Sequence, residues 1–448
     1  MNYLEPLLLH PALGSDMGAI SWPAGIVVQV ASKVLIADAK WYGTLAAVRD
    51  LGAHGVGVTL ASDSWLAPAR WSRYVVRTVS CPSSKNASQF LDWLLCFGSA
   101  HPGHILYPTS DEVAWLIAAH SEALSRVFRL YTPRIESIVR LLDKARLMED
   151  ARAAGLDIPE TRVPRSASEV EWSGRDVAFP LYLKPRAQVF GHFGKGVCVE
   201  NPATLLQAWV AQCGQAKYPA EVLDRVPDIH LPILQSCVSG RERIYTVDGF
   251  VDETGELYTS LACVKILQRP RGSGPGIVFE HAETDPAIDR GLRDLFQATG
   301  YCGVFDAEFI ECGAQKLLID INPRFYNHMA FEIDRGLHLA WLAYLAAIGD
   351  RENLKLEIKK AAATATQPRT YVHRLPTALL LAAQRLARGM SREDQIRWRR
   401  CISKQRGCLT DPARAAGDPG PAIAEFAMEA FSFLRHPRAY LRGLGRLP

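Results

Sequence analysis

The sequence predicts an α/β and α+β protein in which a doubly wound parallel sheet precedes an antiparallel region. Residues 33–38 and 55–60 are short apolar runs separated by the helical pattern of residues 43–51. Strand, helix and strand at this spacing are typical of a parallel unit. Two further apolar runs within residues 303–324 flank a polar segment containing Gly313, which predicts a β-hairpin.

Composition indicates a soluble globular protein. The chain has 448 residues, of which 48% are hydrophobic and 22% charged, a length that suits two to four domains. Its ten cysteines include no CxxC pair, and no secretory signal is recognisable, so we expect reduced thiols and a cytoplasmic location. No uninterrupted apolar run is long enough to span a bilayer.

The charge is distributed unevenly along the chain. The formal net charge is +4, but residues 351–448 carry 19 Lys and Arg against 8 Asp and Glu, which leaves a balance of −7 before residue 351. A basic C-terminal segment is consistent with an anionic substrate, a membrane surface or another polyanion. The alternative, which we favour, is a mainly helical segment whose arginines solubilise its outer face.

The first domain is predicted over residues 33–133, after a poorly patterned leader at residues 1–32. Further strands are expected at residues 74–79 and 104–108, and a helix at 111–120 begins behind a Thr-Ser-Asp cap. Because ligands of doubly wound folds gather at the carboxyl ends of strands, the YPTSDE segment at 107–112 is a candidate rim. The chain lacks a GxGxxG motif here, so we assign neither NAD nor FAD.

The second region contains strands that carry isolated basic residues. A helix is expected over residues 132–155, with Lys144 inside it, and α+β structure over 161–347. Lys184 ends a buried strand at 180–185, where burial disfavours an unpaired charge and favours an anionic partner. Lys265, with Arg269 and Arg271, forms another segment that we expect to face an anion.

A glycine-rich segment lies between these strands. Gly191, Gly194 and Gly196 surround His192 and Lys195, and such glycines let backbone N–H groups point into one concavity and bind a phosphate. A flexible hairpin tip is the alternative interpretation. Another apolar strand is expected at residues 232–238.

The hairpin at residues 303–324 carries the acidic residues of greatest interest. A turn centred on Ala314 places Glu308 across from Asp320, and Asp306 across from Asn322. Side-chain alternation then puts Leu318 on the same face as Asp320. Opposed carboxylates repel unless a cation lies between them, and Mg²⁺ prefers carboxylate and amide oxygens. The alternative is a solvated edge hairpin with scattered acids, although both strands are otherwise strongly apolar.

At this point the chain resembles the ATP-grasp superfamily over about residues 33–345. The segments that carry the resemblance occur in the family's order: DKARLMEDARAAGLDIPET, YLKPRAQVFGHFGKG, LQSCVSGRE, VK and DAEFI…LIDINPR. The N-terminal stretch is most similar to the carboxylate–amine ligases that include D-aspartate ligases. The implied domains are residues 33–133, an ATP-grasp domain at 134–350 with a small subdomain at about 160–240, and a basic, mainly helical region at 351–448.

The resemblance also implies roles for individual residues. Arg324 would steady the acyl phosphate or the substrate carboxylate, and Lys265 would touch the transferred phosphate. The residues implied to bind the metal are Glu308, Asp320 and Asn322. The residues implied to contact ATP are Lys144, Lys184, Gly191, Gly194, Lys195, Gly196, Gln235, Ser236, Val238, Glu242 and Lys265.

Two positions depart from the family's pattern. Asp320 stands where a glutamate is usual, one methylene shorter but still offering two oxygens. The adenine hinge commonly reads Gln-Glu-aromatic, whereas this chain has Gln235-Ser236-Cys237. We expect the metal site to be retained, because aspartate still offers two oxygens. Because hinge contacts are largely through the backbone, the hinge change weakens the match without removing it.

The implied reaction is an ATP-dependent ligation that forms an amide bond through an acyl phosphate and releases ADP and phosphate. The implied cofactors are ATP and Mg²⁺, with Mn²⁺ as an alternative ion. The implied partners are a small carboxylic acid and an amine, amino-acid or peptide-like, and no nucleic acid. We expect a monomer or homodimer, with peripheral membrane contact of the basic C-terminus as an open alternative.

Three other functions fit the same residues. A carboxylase or kinase would use a different acceptor, although the Met-Lys-Met signal of a biotin carrier is absent from the sequence. A nucleotide-binding regulatory protein would bind ATP without turnover. A membrane-peripheral factor would depend mainly on the aromatic and basic tail. His192, His281 and His328 are possible substrate contacts, but lone histidines are more often structural.

Overall fold

The computed structural model describes residues 33–174, 177–190, 196–237, 243–270, 274–364, 369–386, 391–403 and 409–444. Across these residues the strands form three sheets, with five, seven and four strands. The predicted combination of a parallel sheet, antiparallel sheets and a mainly helical C-terminal extension is confirmed. The cysteines whose side chains are described are free thiols. Within the same residues, no helix combines the length and apolarity needed to cross a membrane.

The first region is a doubly wound parallel sheet. Its elements are β1 (Val34–Ile36), α1 (Tyr42–Ala53), β2 (Val58–Ala61), β3 (Val75–Val79), α2 (Ala87–Ala100), β4 (His104–Tyr107), α3 (Asp111–Ala119), α4 (Ser121–Ser125) and β5 (Phe128–Leu130), with a 3₁₀ turn at Pro68–Trp71. The strand order is β3-β2-β1-β4-β5. β1 is fully buried because helices cover both faces of a parallel sheet. Ser110 caps α3 through the Val113 N–H, so the segment after β4 lies at the carboxyl edge of the sheet, as predicted.

The second region is a small antiparallel sheet with its helices. Its elements are α5 (Ile135–Leu142), α6 (Lys144–Ala153), β6 (Thr161–Arg162), α7 (Ala167–Ser173), β7 (Leu181–Lys184), β8 (Val197–Val199), α8 (Pro202–Gln215), α9 (Ala220–Arg225) and β9 (Ile233–Ser236). The strand order is β6-β9-β7-β8. The single helix expected over residues 132–155 is two helices, because the Asp143 backbone is extended and its carboxylate caps α6.

The third region supplies most of the largest sheet. Its elements are β10 (Ile244–Val251), β11 (Tyr258–Gln268), β12 (Gly276–Ala282), α10 (Pro286–Thr299), β13 (Gly303–Cys312), β14 (Gln315–Asn322), α11 (Ala330–Asp334) and α12 (Leu339–Ile348). One face of this sheet packs into the main hydrophobic core through residues such as Val247, Ala307, Phe309 and Ile321. Side chains alternate between faces, so the intervening residues of the same strands point to the opposite face, which carries the acidic residues of the hairpin.

The C-terminal region adds strands that the sequence reading did not predict. Its elements are α13 (Arg351–Thr364), β15 (Thr370–Val372), α14 (Arg374–Leu386), α15 (Arg392–Ser403), β16 (Leu409–Thr410), α16 (Gly420–Arg435) and α17 (Pro437–Leu444). β15 pairs with β12 and β16 with β15, which gives the strand order β14-β13-β10-β11-β12-β15-β16. Both strands are too short to show an alternating pattern.

The C-terminal helices also contact residues from earlier regions. Arg269, expected to face an anionic ligand, instead donates two hydrogen bonds to Glu429 of α16, at 2.8 and 3.0 Å, and that expectation was wrong. Arg49 of α1 donates to Asp418 with an Nε–Oδ2 distance of 2.8 Å. These two ion pairs connect the C-terminal region to the first and largest sheets.

Candidate active site

The β13–β14 hairpin places the acidic residues as predicted. Glu308 pairs with Asp320, and Asp306 pairs with Asn322. The turn comprises Gly313, with a φ of +61°, and Ala314. Between this turn and the carboxylates, the two strands pair with an offset of one residue relative to the Glu308–Asp320 pair. A β-bulge at residue 319 restores the register. The carboxylates are therefore opposed because of the bulge and not because of the turn alone.

The same bulge reverses the expected orientation of Leu318. Leu318 pairs with Phe309, and both are fully buried in the core on the face opposite to Glu308. The prediction that Leu318 shares a face with Asp320 was wrong. An extra residue in one strand changes the alternation of side chains beyond it.

A lysine contacts each of the two opposed carboxylates. Lys265 of β11 donates to Glu308, with an Nζ–Oε1 distance of 2.8 Å, and Lys144 donates to Asp320, with an Nζ–Oδ1 distance of 2.5 Å. Burial by itself would raise the pKa of Glu308, but the charge and hydrogen bond of Lys265 outweigh it and hold that pKa below its usual value. Burial would lower the pKa of Lys265, yet Glu308 keeps it raised. Both groups therefore remain charged at neutral pH.

Lys144 reaches the hairpin because it is the first residue of α6. The Asp143 carboxylate accepts the Ala145 N–H at 3.1 Å and forms an ion pair with Arg186, whose Nε–Asp143 Oδ1 distance is 2.7 Å. The Lys144 N–H donates to the Arg186 carbonyl at 2.9 Å. Because Arg186 follows β7 by two residues, this contact couples Lys144 to the strand that carries Lys184.

Arg324 joins the hairpin to the edge of the first sheet. Its Nη2 donates to Asn322 Oδ1 at 2.9 Å, and its Nε donates to Asp111 Oδ1 at 2.6 Å. Asp111 begins α3 within the YPTSDE segment. The sequence reading identified that segment as a rim but did not assign Asp111 this contact, since no local pattern relates two residues so far apart in the chain.

The residues present fit a hard divalent cation. Glu308, Asp320 and Asn322 offer two carboxylates and an amide oxygen, which are the donors that Mg²⁺ prefers. Asn322 is oriented by donating from Nδ2 to Asp306 at 3.0 Å, so its amide oxygen is held on the side of Arg324.

Lys184, Gln235 and Ser236 form a second group on the four-stranded sheet. Lys184 Nζ donates to Gln235 Oε1 at 2.7 Å, across the β7–β9 pair. The Ser236 N–H donates to the Glu160 carbonyl, and the Cys237 N–H to the Pro180 carbonyl. Gln235 Nε2 also donates to Thr161 Oγ1 at 3.1 Å, so Lys184 and Gln235 belong to one hydrogen-bonded group on this sheet.

Gly196 packs closely against the same sheet. A Cβ atom at this position would lie 2.5 Å from Tyr182 Cε1 and 2.6 Å from the Leu183 carbonyl oxygen, so only glycine allows this approach. Gly191, Gly194, Lys195, Val238 and Glu242 lie outside the described residues, as does His192.

The sequence reading also missed a group of buried polar residues beside the hairpin. Asp248, Cys263, His328, Glu332 and Arg335 lie on the same face of the large sheet or pack against it, and all are buried. The signal was an isolated aspartate in the apolar β10 segment. His328 contacts Asp248, while the other histidine candidate, His281, contacts Arg335 and Glu283.

Solved structures with the same fold are numerous, although no protein-family model and no curated protein sequence matches the chain. Biotin carboxylase from Campylobacter jejuni, in a complex described as βγ-ATP, is 15% identical over 71% of each chain, with a TM-score of 0.56. The biotin carboxylase domain of Hydrogenobacter thermophilus 2-oxoglutarate carboxylase, with MgADP and bicarbonate, is 15% identical over 71% of this chain and 70% of that one, with a TM-score of 0.55. L-amino acid ligase from Bacillus licheniformis is 14% identical over 70% and 74%, with a TM-score of 0.50. At these identities the similarity is one of fold, and the fold is the ATP-grasp fold that the sequence resemblance implied.

Proposed function

We propose that the protein is an ATP-dependent carboxylate–amine ligase, which forms an amide through an acyl phosphate and releases ADP and phosphate. One observation carries the proposal: two opposed carboxylates on one hairpin, Glu308 and Asp320, each contact a lysine, and the neighbouring Asn322 contacts Arg324. This arrangement suits the binding and transfer of a phosphoryl group, which depends on positioning and charge.

ATP would bind between the four-stranded and seven-stranded sheets. Lys184 and Lys144 would contact its phosphates, and the link from Lys144 to the Arg186 carbonyl supports a shared position for these two lysines. The loop at 191–196 would cover the triphosphate. The Gln235–Val238 segment would contact adenine and Glu242 the ribose, as the sequence resemblance implies.

Glu308, Asp320 and Asn322 would hold the metal, Mg²⁺ or alternatively Mn²⁺. When bound, this ion supplies positive charge that screens the phosphate oxygens from the attacking nucleophile. The structures described with ATP or MgADP have the same fold, which supports nucleotide and magnesium binding here.

The chain's own residues would act on the substrates through charge and orientation. A substrate carboxylate oxygen attacks the γ-phosphorus, and the bond to the bridging oxygen breaks so that its electron pair leaves with ADP. Lys265 would offset charge on the transferring group, while Arg324 would orient the substrate carboxylate. An amine nitrogen then attacks the acyl carbon, phosphate leaves, and the nitrogen loses a proton.

A ligase is favoured over a carboxylase by the N-terminal resemblance to carboxylate–amine ligases such as D-aspartate ligases. The fold shared with an L-amino acid ligase is consistent with an amino-acid or peptide-like substrate. Under this proposal residues 33–133 form the N-terminal domain and residues 134–350 the ATP-grasp domain, and the protein acts in the cytoplasm as a monomer or homodimer.

The test is ADP release at saturating MgATP with a panel of carboxylic acids, each with and without hydroxylamine. Hydroxylamine converts an acyl phosphate to a hydroxamate, so the first half-reaction is visible before the amine is known. We expect hydroxamate from one class of acid and none from the Glu308→Gln/Asp320→Asn variant. ADP formed with bicarbonate alone would indicate a carboxylase, and ATP binding without turnover of any acid would contradict the proposal.

A further inference from the structure

A buried cluster of four side chains lies beside the proposed active site and plays no part in the mechanism above. Asp248 comes from β10, Cys263 from β11, His328 from the segment after β14, and Glu332 from α11. One donor atom from each lies within 4.8 Å of all the others. All four residues are buried, and the exposed fraction of Asp248, Cys263 and Glu332 is 0%.

Two distances within the cluster are close to the edge lengths of a coordination tetrahedron. His328 Nε2 lies 3.1 Å from Asp248 Oδ2, and Cys263 Sγ lies 3.6 Å from the same oxygen. Zinc–nitrogen and zinc–oxygen bonds of about 2.0 Å and zinc–sulfur bonds of about 2.3 Å place tetrahedral donors about 3.3–3.7 Å apart. Two neighbouring strands and the segment after β14 thus bring carboxylate, thiol and imidazole close together.

Two buried carboxylates meet at the edge of the cluster. Asp248 pairs directly with Asp306 on the neighbouring strand, and Asp248 Oδ1 and Asp306 Oδ1 find no hydrogen-bond donor among the described residues. Arg335 Nη2 donates to Glu332 Oε1 at 3.1 Å. A cation bound at the cluster would offset the charge of these buried carboxylates.

Neighbouring side chains hold the donors in place. Thr246 Oγ1 donates to Asp248 Oδ2 at 2.9 Å, and Tyr326 Oη donates to Glu332 Oε2 at 3.0 Å. The His328 ring stacks on Phe279 with centroids 4.1 Å apart. Such outer contacts are typical of metal sites, where they orient the ligands and fix their protonation.

We propose that Asp248, Cys263, His328 and Glu332 form a second metal site, four-coordinate and selective for a transition-metal dication such as Zn²⁺. Thiolate and imidazole ligands favour such ions over Mg²⁺, which keeps this site distinct from the one at Glu308 and Asp320. Binding forms a bond from Cys263 Sγ to the metal, and the thiol proton is released to solvent. The ion joins β10 and β11 to the segment that follows Arg324.

The proposal is tested by adding Co²⁺ to the full-length protein after chelator treatment, under reducing, oxygen-free conditions. A cobalt–thiolate bond gives a charge-transfer band in the near ultraviolet, and we expect saturation at about one ion per chain. The absence of this band in the wild-type protein would overturn the proposal without need of any variant. The readout does not depend on ATP turnover, so it can fail or succeed separately from the proposed function.

Variants then locate the ion. Cys263→Ser should abolish the band and His328→Ala should reduce bound cobalt to less than about a tenth of an equivalent. Cys302→Ser is the matched control, because Cys302 is also buried but lies outside the cluster, and it should keep the band. Glu308→Gln/Asp320→Asn should keep it as well. A band of full intensity in folded Cys263→Ser protein would refute the assignment.

Discussion

The buried ion pair between Asp143 and Arg186 gives a sharp prediction about how the site is supported. Only 1% of the Asp143 side chain and 4% of the Arg186 side chain are exposed, and Arg186 Nη1 also contacts Asp228 Oδ2 at 2.8 Å. Arg186→Met leaves the buried Asp143 carboxylate without its closest cation, and the remaining one, Arg146, has its Nε 3.4 Å from Asp143 Oδ2 and a side chain that is 41% exposed. Removing one member of such a pair costs about 3–5 kcal/mol, whereas a surface pair is worth about 0–1 kcal/mol.

The assay is urea unfolding of matched variants. Arg140→Met is the control, because Arg140 pairs with Asp150 in the adjoining helix but its side chain is 45% exposed. We expect Arg186→Met to lower the free energy of unfolding by about 3–5 kcal/mol, and Arg140→Met by less than about 1 kcal/mol. Adding Asp143→Asn to Arg186→Met should recover part of the loss, since the amide oxygen still caps α6 without a buried charge.

The same substitution should affect nucleotide binding. The Arg186 carbonyl accepts the Lys144 N–H, so a displaced backbone moves the lysine that contacts Asp320. We expect a higher KM for ATP in Arg186→Met than in Arg140→Met. Equal stability losses in the two variants, or no rescue by Asp143→Asn, would refute the reasoning.

Three further predictions concern the site itself. Gly196→Ala should raise the KM for ATP and lower thermal stability, because the added Cβ would lie 2.5 Å from Tyr182 Cε1; steady-state kinetics and a melting curve would show it. Glu308→Gln/Asp320→Asn should lower kcat by about 100-fold or more while circular dichroism stays unchanged, and wild-type turnover in this variant would contradict the metal assignment. In the folded protein the pKa of Glu308 is lowered, because the attraction of Lys265 outweighs the effect of burial. The Glu308–Lys265 pair therefore stabilises the fold at pH values above the unfolded pKa of about 4.3, and this stabilisation is lost as the pH falls through the pKa of the folded state. Glu308→Gln protein should therefore lose less stability on acidification than wild type, and identical acid unfolding curves would contradict this.

The fold was predictable where local pattern and topology agree. Strand, helix and strand between residues 33 and 61 predicted the parallel sheet, and the structure has β1, α1 and β2 there. The short strands β15 and β16 were not predictable, because two or three residues carry no periodicity and their pairing depends on distant strands.

The candidate site was predictable only in part, for a similar reason. The pairing of Glu308 with Asp320 was correct, but the bulge at residue 319 that produces it has no strong sequence signal, and so Leu318 was placed on the wrong face. The contact between Arg324 and Asp111 joins two regions separated by 213 residues. Tertiary proximity of this kind follows from the packing of the two sheets and from no local motif.

The proposed ligase activates a carboxylate by phosphorylating it. This step can be followed with a turnover-competent acid labelled with ¹⁸O in its carboxyl group, with ATP and hydroxylamine as the acceptor. If an acyl phosphate forms, one carboxyl oxygen leaves with the phosphoryl group, so we expect ¹⁸O in the released inorganic phosphate. Phosphate free of ¹⁸O, released in step with product, would show that the acid is not activated through an acyl phosphate.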